Sequence, residues 1–306
     1  MQEKNPTPTQ IINNWEKSSS AYWMTEREKR TLALFHQASQ RVPAYQDFLK
    51  KAHVKPEKIT SWEDFQNVPF VNKKNYLRQY PLVSLCWDGT LNRPMVFTAT
   101  SGSTGDPFYF LRQEKLDWQY SVIIENYLRV NGKILQPTLV IDCFGMGLWI
   151  AGVLTYKGFE MAAIRNNYPI SIVTPGINKR EIFNTLRIAA PYFAQVILAG
   201  YPPFIKDVID EAPQLGINLK KLKLRLLFAA EAISEEFRDY VSINGKINHG
   251  HLDIMNIYGS ADIGAMAMEG PTGILIRRLA KNNKDLFSSI FSSIDKTPTL
   301  AQYCPY

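Results

Sequence analysis

Cysteine and histidine are scarce in this sequence, with three and four copies among 306 residues. Cys86, Cys143 and Cys304 lie far apart and are odd in number, so neither a disulfide framework nor a Cys-x-x-Cys pair can form. A reducing, cytoplasmic setting is therefore expected. His249 and His251 form a His-x-His pair, but no Cys or acidic cluster stands nearby at zinc spacing, which favours a surface loop over a metal site. No run of about 18 apolar residues exists, so no membrane span is expected. The N-terminal "MQEKNPTPTQ" lacks the apolar centre of a secretory signal. A formal charge of +7 is modest for this length and is not gathered into a stripe. That suits a small anionic ligand and argues against a nucleic-acid partner. Three common motifs are also missing. No Gly-Lys-Ser/Thr follows a glycine loop, no Gly-x-Gly-x-x-Gly occurs, and no Gly-x-Ser-x-Gly marks a serine nucleophile.

What remains is an ordinary globular composition, 45% apolar and 21% charged, long enough for two domains or one large α/β unit. The first 20 residues read as frayed or linker-like. From Thr25 the pattern turns helical. Thr25 and Glu28 have capping-box spacing, Leu32, Phe35 and Val42 share a face, and Pro43 ends the segment. Short helices are expected from Ser61, with Asp64 three residues on, and from Asn72. Residues 1–88 thus read as a helical region and 89–306 as an α/β core. The runs "TLVIDCF" (Thr138 to Phe144), "QVILAG" (Gln195 to Gly200) and "DIMNIYG" (Asp253 to Gly259) are short and apolar, as buried strands are. Helices such as "PPFIKDVIDEA" and "SEEFRDYV" separate them, which gives alternating α/β order. "KLKLRLLFAAE" alternates charged and apolar residues, so a strand with one wet face is expected from Lys221 to Leu226. Cys143, inside an apolar run, is expected to be a small buried residue.

Three segments carry chemistry. "VFTATSGSTGDPFYF" (Val96 to Phe110) concentrates hydroxyls and glycines between apolar flanks. Bare backbone N–H groups there can approach an anion, and Ser101, Ser103 and Thr104 add hydroxyl donors. A Gly/Ser-rich hairpin connection is an equally open reading, with "FYFL" as the returning strand. "IYGSADIGAM" (Ile257 to Met266) ends a strand in Tyr-Gly and follows it with Asp262. A carboxylate at that position can ligate Mg²⁺ shared with a phosphate, although alone it reads better as a helix N-terminal acid favoured by the dipole. "FAAEAISEEF" (Phe228 to Phe237) leads a strand into small residues and Glu231, after which Ser234 caps a helix. "FGMGLWIAG" (Phe144 to Gly152) reads as a pocket wall or a tightly packed helix start.

In this order and spacing the three segments resemble the adenylate-forming superfamily, specifically its phenylacetate–CoA ligase branch. "TSGSTGDP" (Thr100 to Pro107) is similar to that family's phosphate loop, "AAEAIS" to its Gly-Ala-Glu-Pro segment, and "IYGSAD" to its Tyr-Gly-x-Ser/Thr-Glu segment. The lead-in "RVPAYQDFLKKAHVKPEKITSWEDFQNVPFVNKKNYLRQYP" and "AGYPPFIKDVID" are similar too. The resemblance implies layered β-sheets and helices and an AMP-forming ligase acting on an aryl or acyl carboxylic acid. ATP, Mg²⁺ and coenzyme A are the implied cofactors and co-substrates. Thr100, Ser101, Gly102, Ser103, Thr104 and Gly105 would hold the phosphates. Ala230 and Glu231 would line the adenine and ribose side, with Tyr258 packing on adenine beside Gly259 and Ser260. Asp262 would help to bind the metal, and Thr104 and Asp262 are the residues implied in the chemistry. Departures are visible. Phe108 follows the loop proline where many superfamily members have Lys, Asp262 replaces Glu, and Ala261 stands where a hydroxyl is usual. The ribose-gripping Asp, the hinge and the lysine-bearing C-terminal domain of the family have no counterpart before "TLAQYCPY". The expectation is therefore a chain lacking the lid, which binds ATP, forms acyl-AMP slowly or not at all, and makes no thioester alone. A separately encoded C-terminal partner or a homo-oligomer, and a non-catalytic nucleotide- or acyl-binding role, are the alternatives.

Overall fold

The apolar runs become the central strands of a seven-stranded sheet, in a computed structural model that describes residues 6–99, 107–130, 133–291 and, as backbone, 301–303. The chain divides into two units, Thr9–Met95 and a larger one formed by Met1–Pro8 with Val96–Cys304.

The smaller unit is helical. Its main helices are Ser20–Arg41 and Pro43–Lys51. Ser19 caps the first by accepting from the Tyr22 N–H, so Thr25 lies inside the helix and donates to the Ala21 carbonyl instead of opening it. A helix also covers Pro8–Lys17, where a linker was expected. Ser61 and Asp64 do form a capping box, at the start of Trp62–Gln66, and Asn72 caps a π-helical turn at Lys73–Leu77. Phe35, Tyr45, Phe48, Phe65 and Tyr76 pack edge to face at centroid separations of 5.5–6.2 Å. Burial pushes the Tyr76 phenol up to about 12.

The larger unit begins with an antiparallel pair, β1 (Val96–Ala99) and β2 (Tyr109–Arg112), in which Ala99 opposes Tyr109. The sheet strands are β3 (Thr138–Asp142), β4 (Ile170–Val173), β5 (Gln195–Gly200), β6 (Leu224–Ala229), β7 (Ile254–Ser260), β8 (Gly264–Glu269) and β9 (Ala301–Tyr303). Their order is β4-β3-β5-β6-β7-β8-β9, with β3 to β7 parallel and the last two antiparallel. The unit is therefore α/β. One face of the sheet, carrying Leu139, Ile141, Val196, Leu198, Leu226 and Phe228, packs on helices Lys179–Ile188, Pro202–Glu211 and Glu235–Gly245.

The alternating "KLKLRLL" does not make a wet-faced strand. Leu219–Leu222 is a helical turn, Lys223 turns the chain with φ 47°, and the strand starts only at Leu224. Arg225 is 1% exposed. Its guanidinium lies 4.3 Å from the centroid of the Tyr127 ring and donates to the Tyr127 carbonyl at 2.8 Å. A strand central to a parallel sheet is covered on both faces, so its charge has to find a partner inside.

A second buried charge group ties the far side of the sheet. Arg238, wholly buried, donates to Glu235 at 3.1 Å, to Glu269 at 2.7 Å and to the Ile254 carbonyl. Arg277 donates to Glu269 at 2.7 Å and also pairs with Glu235, and Arg278 reaches Glu235 at 2.6 Å. Burial by itself would raise the Glu235 carboxyl, but the Arg238 charge and the bonds from Arg277 and Arg278 outweigh it and hold that carboxyl below its ordinary range. Removing one partner leaves the rest charged and dry. Arg238→Met is therefore expected to cost about 3–5 kcal/mol, read as a lower midpoint in urea unfolding followed by circular dichroism.

Candidate functional site

Because β4 lies on one side of β3 and β5 on the other, the chain reverses its direction of travel across the sheet at β3. Loops leaving the carboxyl ends of strands around such a reversal open a crevice, where α/β proteins bind ligands. The segments that follow β3, β5, β6 and β7 all leave from that end.

After β6 come Ala230 and Glu231. Ala230 has φ 77°, a left-handed conformation that costs an alanine roughly 1–2 kcal/mol. One hydrogen bond holds the turn: the Asn256 side-chain amide donates to the Glu231 carbonyl at 2.8 Å. Tyr201 follows β5 near Glu231, and interaction with that carboxylate, with some burial, raises the Tyr201 phenol above its ordinary value.

β7 ends in Tyr258, Gly259 and Ser260. The Tyr258 ring is 61% exposed, an unusual amount for a strand residue in this sheet, and is available for stacking. The pairing with β8 shifts register between Tyr258 and Gly259. A Cβ on Gly259 would stand 2.4 Å from the Gly264 carbonyl, so only glycine allows this approach. Residues 261–263 form the turn into β8, so Asp262 is a hairpin-turn residue and not a helix N-terminal acid. Its exposed carboxylate accepts from the Ser260 hydroxyl.

Thr100, Ser101, Gly102, Ser103, Thr104 and Gly105 lie outside the described residues, but both flanks are described. The Ala99 N–H donates to the Leu148 carbonyl at 2.8 Å, and Ala99 bridges to Trp149 in parallel register. The end of β1 thus runs beside the segment that follows β3. The Trp149 ring is half exposed and covers Gly145, where a Cβ would meet the ring at 2.2 Å. "FGMGLWIAG" is therefore both a close-packed helix start, into Ile150–Asn166, and a surface beside the crevice.

Several residues here escaped the motif reading. Asn256 belongs to none of the three segments, although a lone amide in the apolar run "DIMNIYG" is a signal, and Tyr201 lies in "AGYPPFIKDVID" with no role assigned to it. Asp142, the last residue of β3, is fully buried. Its burial outweighs the hydrogen bond from the Phe144 N–H and pushes the carboxyl up to about 8. Cys143 is buried as expected, and its thiol is raised well above the ordinary range by burial and by the Asp142 charge. His249 and His251 have ring centroids 6.3 Å apart, and no group of three His, Cys, Asp or Glu suited to a metal occurs among the described residues. Among those residues no helix is long and apolar enough to cross a membrane.

Two outcomes follow from these positions. An acid whose folded value lies above its unfolded value of 3.8 stabilises the fold at low pH and loses that contribution as pH rises toward 8. The stability of Asp142→Asn relative to wild type should therefore grow between pH 4 and pH 8 and level off above, as followed by urea midpoints. Ala230→Gly should raise stability by about 0.5–1 kcal/mol, since relief of the left-handed strain exceeds the extra unfolded-state entropy of glycine. Matched thermal and urea unfolding would register that gain.

No protein-family model matches the chain. It is 24% identical over 245 residues to the phenylacetate–coenzyme A ligase of Thermus thermophilus, an alignment covering 78% of this chain and 49% of the relative. The chain thus spans about half the length of the curated relative it matches. Among solved structures it superposes on 2-hydroxyisobutyryl-CoA ligase in complex with 2-HIB-AMP and CoA in the thioesterification state. That match has a TM-score of 0.67 at 17% identity and covers 89% of this chain and 57% of the other. The same ligase in its postadenylation state with 2-HIB-AMP gives a TM-score of 0.64 at 17% identity, over 88% and 56%. The chain is therefore similar in sequence to a phenylacetate–CoA ligase and shares the fold of 2-hydroxyisobutyryl-CoA ligase over 89% of its length.

Proposed function

We propose that this chain carries the nucleotide site of an AMP-forming carboxylate–CoA ligase of the phenylacetate–CoA ligase type. The observation that carries the reading is a convergence. Ala230 and Glu231 follow β6, Tyr258 to Asp262 follow its neighbour β7, and Ala99 leads into Thr100 beside the segment after β3. Two of the segments singled out by chemistry thus leave from one end of the seven-stranded sheet, and the strand that leads into the third ends beside the segment that follows β3.

In this reading Thr100 to Gly105 bind the polyphosphate through backbone N–H groups and hydroxyls, and the exposed Tyr258 ring stacks on adenine beside the Ala230–Glu231 turn. Asp262, exposed and joined by the Ser260 hydroxyl, offers the hard oxygens that Mg²⁺ shares with phosphate, so the residues fit the ion. When bound, Mg²⁺ would neutralise charge on the polyphosphate. A carboxylate oxygen of the acid attacks the α-phosphorus of ATP. The bond to the β-phosphate bridge breaks, pyrophosphate leaves with the electron pair, and acyl-AMP remains. Donors aimed at the departing phosphates stabilise the charge that develops there. The coenzyme A thiol is the acceptor in the following half-reaction, and the acid is of the aryl or acyl class.

Binding is the readout that needs only contacts within this chain. Titration calorimetry should detect Mg·ATP binding. Thr104→Ala should weaken it about ten- to a hundredfold, as expected for losing a hydrogen bond to a charged group worth roughly 1.5–3 kcal/mol. Asp262→Asn should weaken binding only when Mg²⁺ is present. Pyrophosphate exchange across a panel of aryl and fatty acids then separates a ligase from a nucleotide-binding protein. A folded chain that takes up no ATP, or an Asp262→Asn loss that is equal with and without Mg²⁺, counts against the reading.

A further inference from the structure

Among the described site residues Ala230 is the one whose backbone is strained, and a strained turn persists only when its surroundings over-determine it. The structure identifies what does so. The side-chain amide of Asn256, on β7, donates to the carbonyl of Glu231 at 2.8 Å. Only the NH₂ end of that amide can face a carbonyl, so the orientation follows from the partner. Asn256 is itself immobilised, because its backbone N–H donates to the Glu269 carboxylate at 3.1 Å and that carboxylate is held by buried Arg238 and Arg277. Asn256 also stands two residues before Tyr258 on the same strand. A single rigid path therefore runs from the buried charge group to the turn and to the exposed ring.

We propose that Asn256 is a positioning residue of the nucleotide site, whose amide clamps the strained Ala230–Glu231 turn to β7 and so sets the gap between that turn and the Tyr258 ring. The proposal rests on the reading of this site as nucleotide-binding. The clamp itself is a property of the ligand-free chain and can be tested without nucleotide. The ladder between β6 and β7 ends at the Ala229–Ile257 pair, so without the amide Ala230 relaxes toward negative φ and the turn moves relative to the ring.

The experiment compares wild type, Asn256→Ala, Asn256→Asp and Leu186→Ala. Leu186 is a buried residue of the helix Lys179–Ile188 and serves as a control for general destabilisation. Amide hydrogen exchange on the ligand-free proteins should show peptides spanning 229–233 exchanging at least tenfold faster in Asn256→Ala than in wild type. In Leu186→Ala the same peptides should change no more than the rest of the sheet. Titration with Mg·ATP should then show affinity about tenfold weaker in Asn256→Ala. Asn256→Asp, which offers only acceptors to the Glu231 carbonyl at neutral pH, should be at least as weak, and Leu186→Ala should match wild type. Unchanged exchange at 229–233 in Asn256→Ala overturns the clamp, whatever the ATP result. Faster exchange with wild-type ATP affinity in both Asn256 variants, or an equal loss of affinity in Leu186→Ala, overturns the positioning role. A wild-type chain that binds no ATP overturns the nucleotide reading and the positioning role together, and the exchange data still report on the clamp separately.

Discussion

Arg238 is the group on which the candidate site leans. Its guanidinium is fully buried and joins its own helix, through Glu235, to the start of β7, through the Ile254 carbonyl, and to the end of β8, through Glu269. A buried arginine with two carboxylates gains little net stability over an apolar packing of the same shape, because both signs have left water. What it contributes here is geometry. Charge-assisted hydrogen bonds have narrow distance and angle requirements, so the helix after β6 cannot slide relative to β7 and β8 without breaking several at once. The turn between β6 and that helix is where Ala230 and Glu231 sit.

The same end of the sheet collects the local costs of the fold. Ala230 adopts a conformation that suits glycine, Gly259 lets β8 approach more closely than any side chain would permit, and Asp142 is buried at the end of β3. Parallel strands explain why these features gather together. The ladder satisfies backbone groups along the strands but not beyond their ends, so the turns there need side-chain partners such as Asn256. Unusual backbone geometry and buried carboxylates are more common at functional crevices than in the rest of a core. Their coincidence with the segments after β6 and β7, and with the end of β1, makes the crevice at this end the natural candidate site.

Local signals in the sequence were reliable where the physics was local. Ser61 with Asp64, and Ser234 ahead of Glu235 and Glu236, cap helices as their spacing implies. The capping box proposed at Thr25 and Glu28 fails for an equally local reason, since Ser19 supplies the cap earlier and the helix runs through Thr25. The alternation at Lys221 to Leu226 misleads because a period of two reports which residues share a face and says nothing of what covers it. In Arg225 the covering group is Tyr127, 98 residues earlier. Asp262 is misassigned as a helix cap because hairpin turns and helix starts draw on the same small polar residues.

By itself, the sequence determined the α/β class, the strands that bury apolar runs, the helix caps at Ser61 and Ser234, and the three segments whose residue types suit phosphate, ring and metal. These depend on neighbours within a few positions, and such neighbours are written next to one another. Only the tertiary structure decided that the end of β1 runs beside the segment after β3, and that Ala230 is strained and held by an amide 25 residues away. It alone decided that two arginines and two glutamates neutralise one another in the dry space behind β7 and β8. Each of those facts is a pairing across strands or between a strand and a helix. Sheet order selects such pairings, and sheet order follows from how the chain buries its apolar surface as a whole.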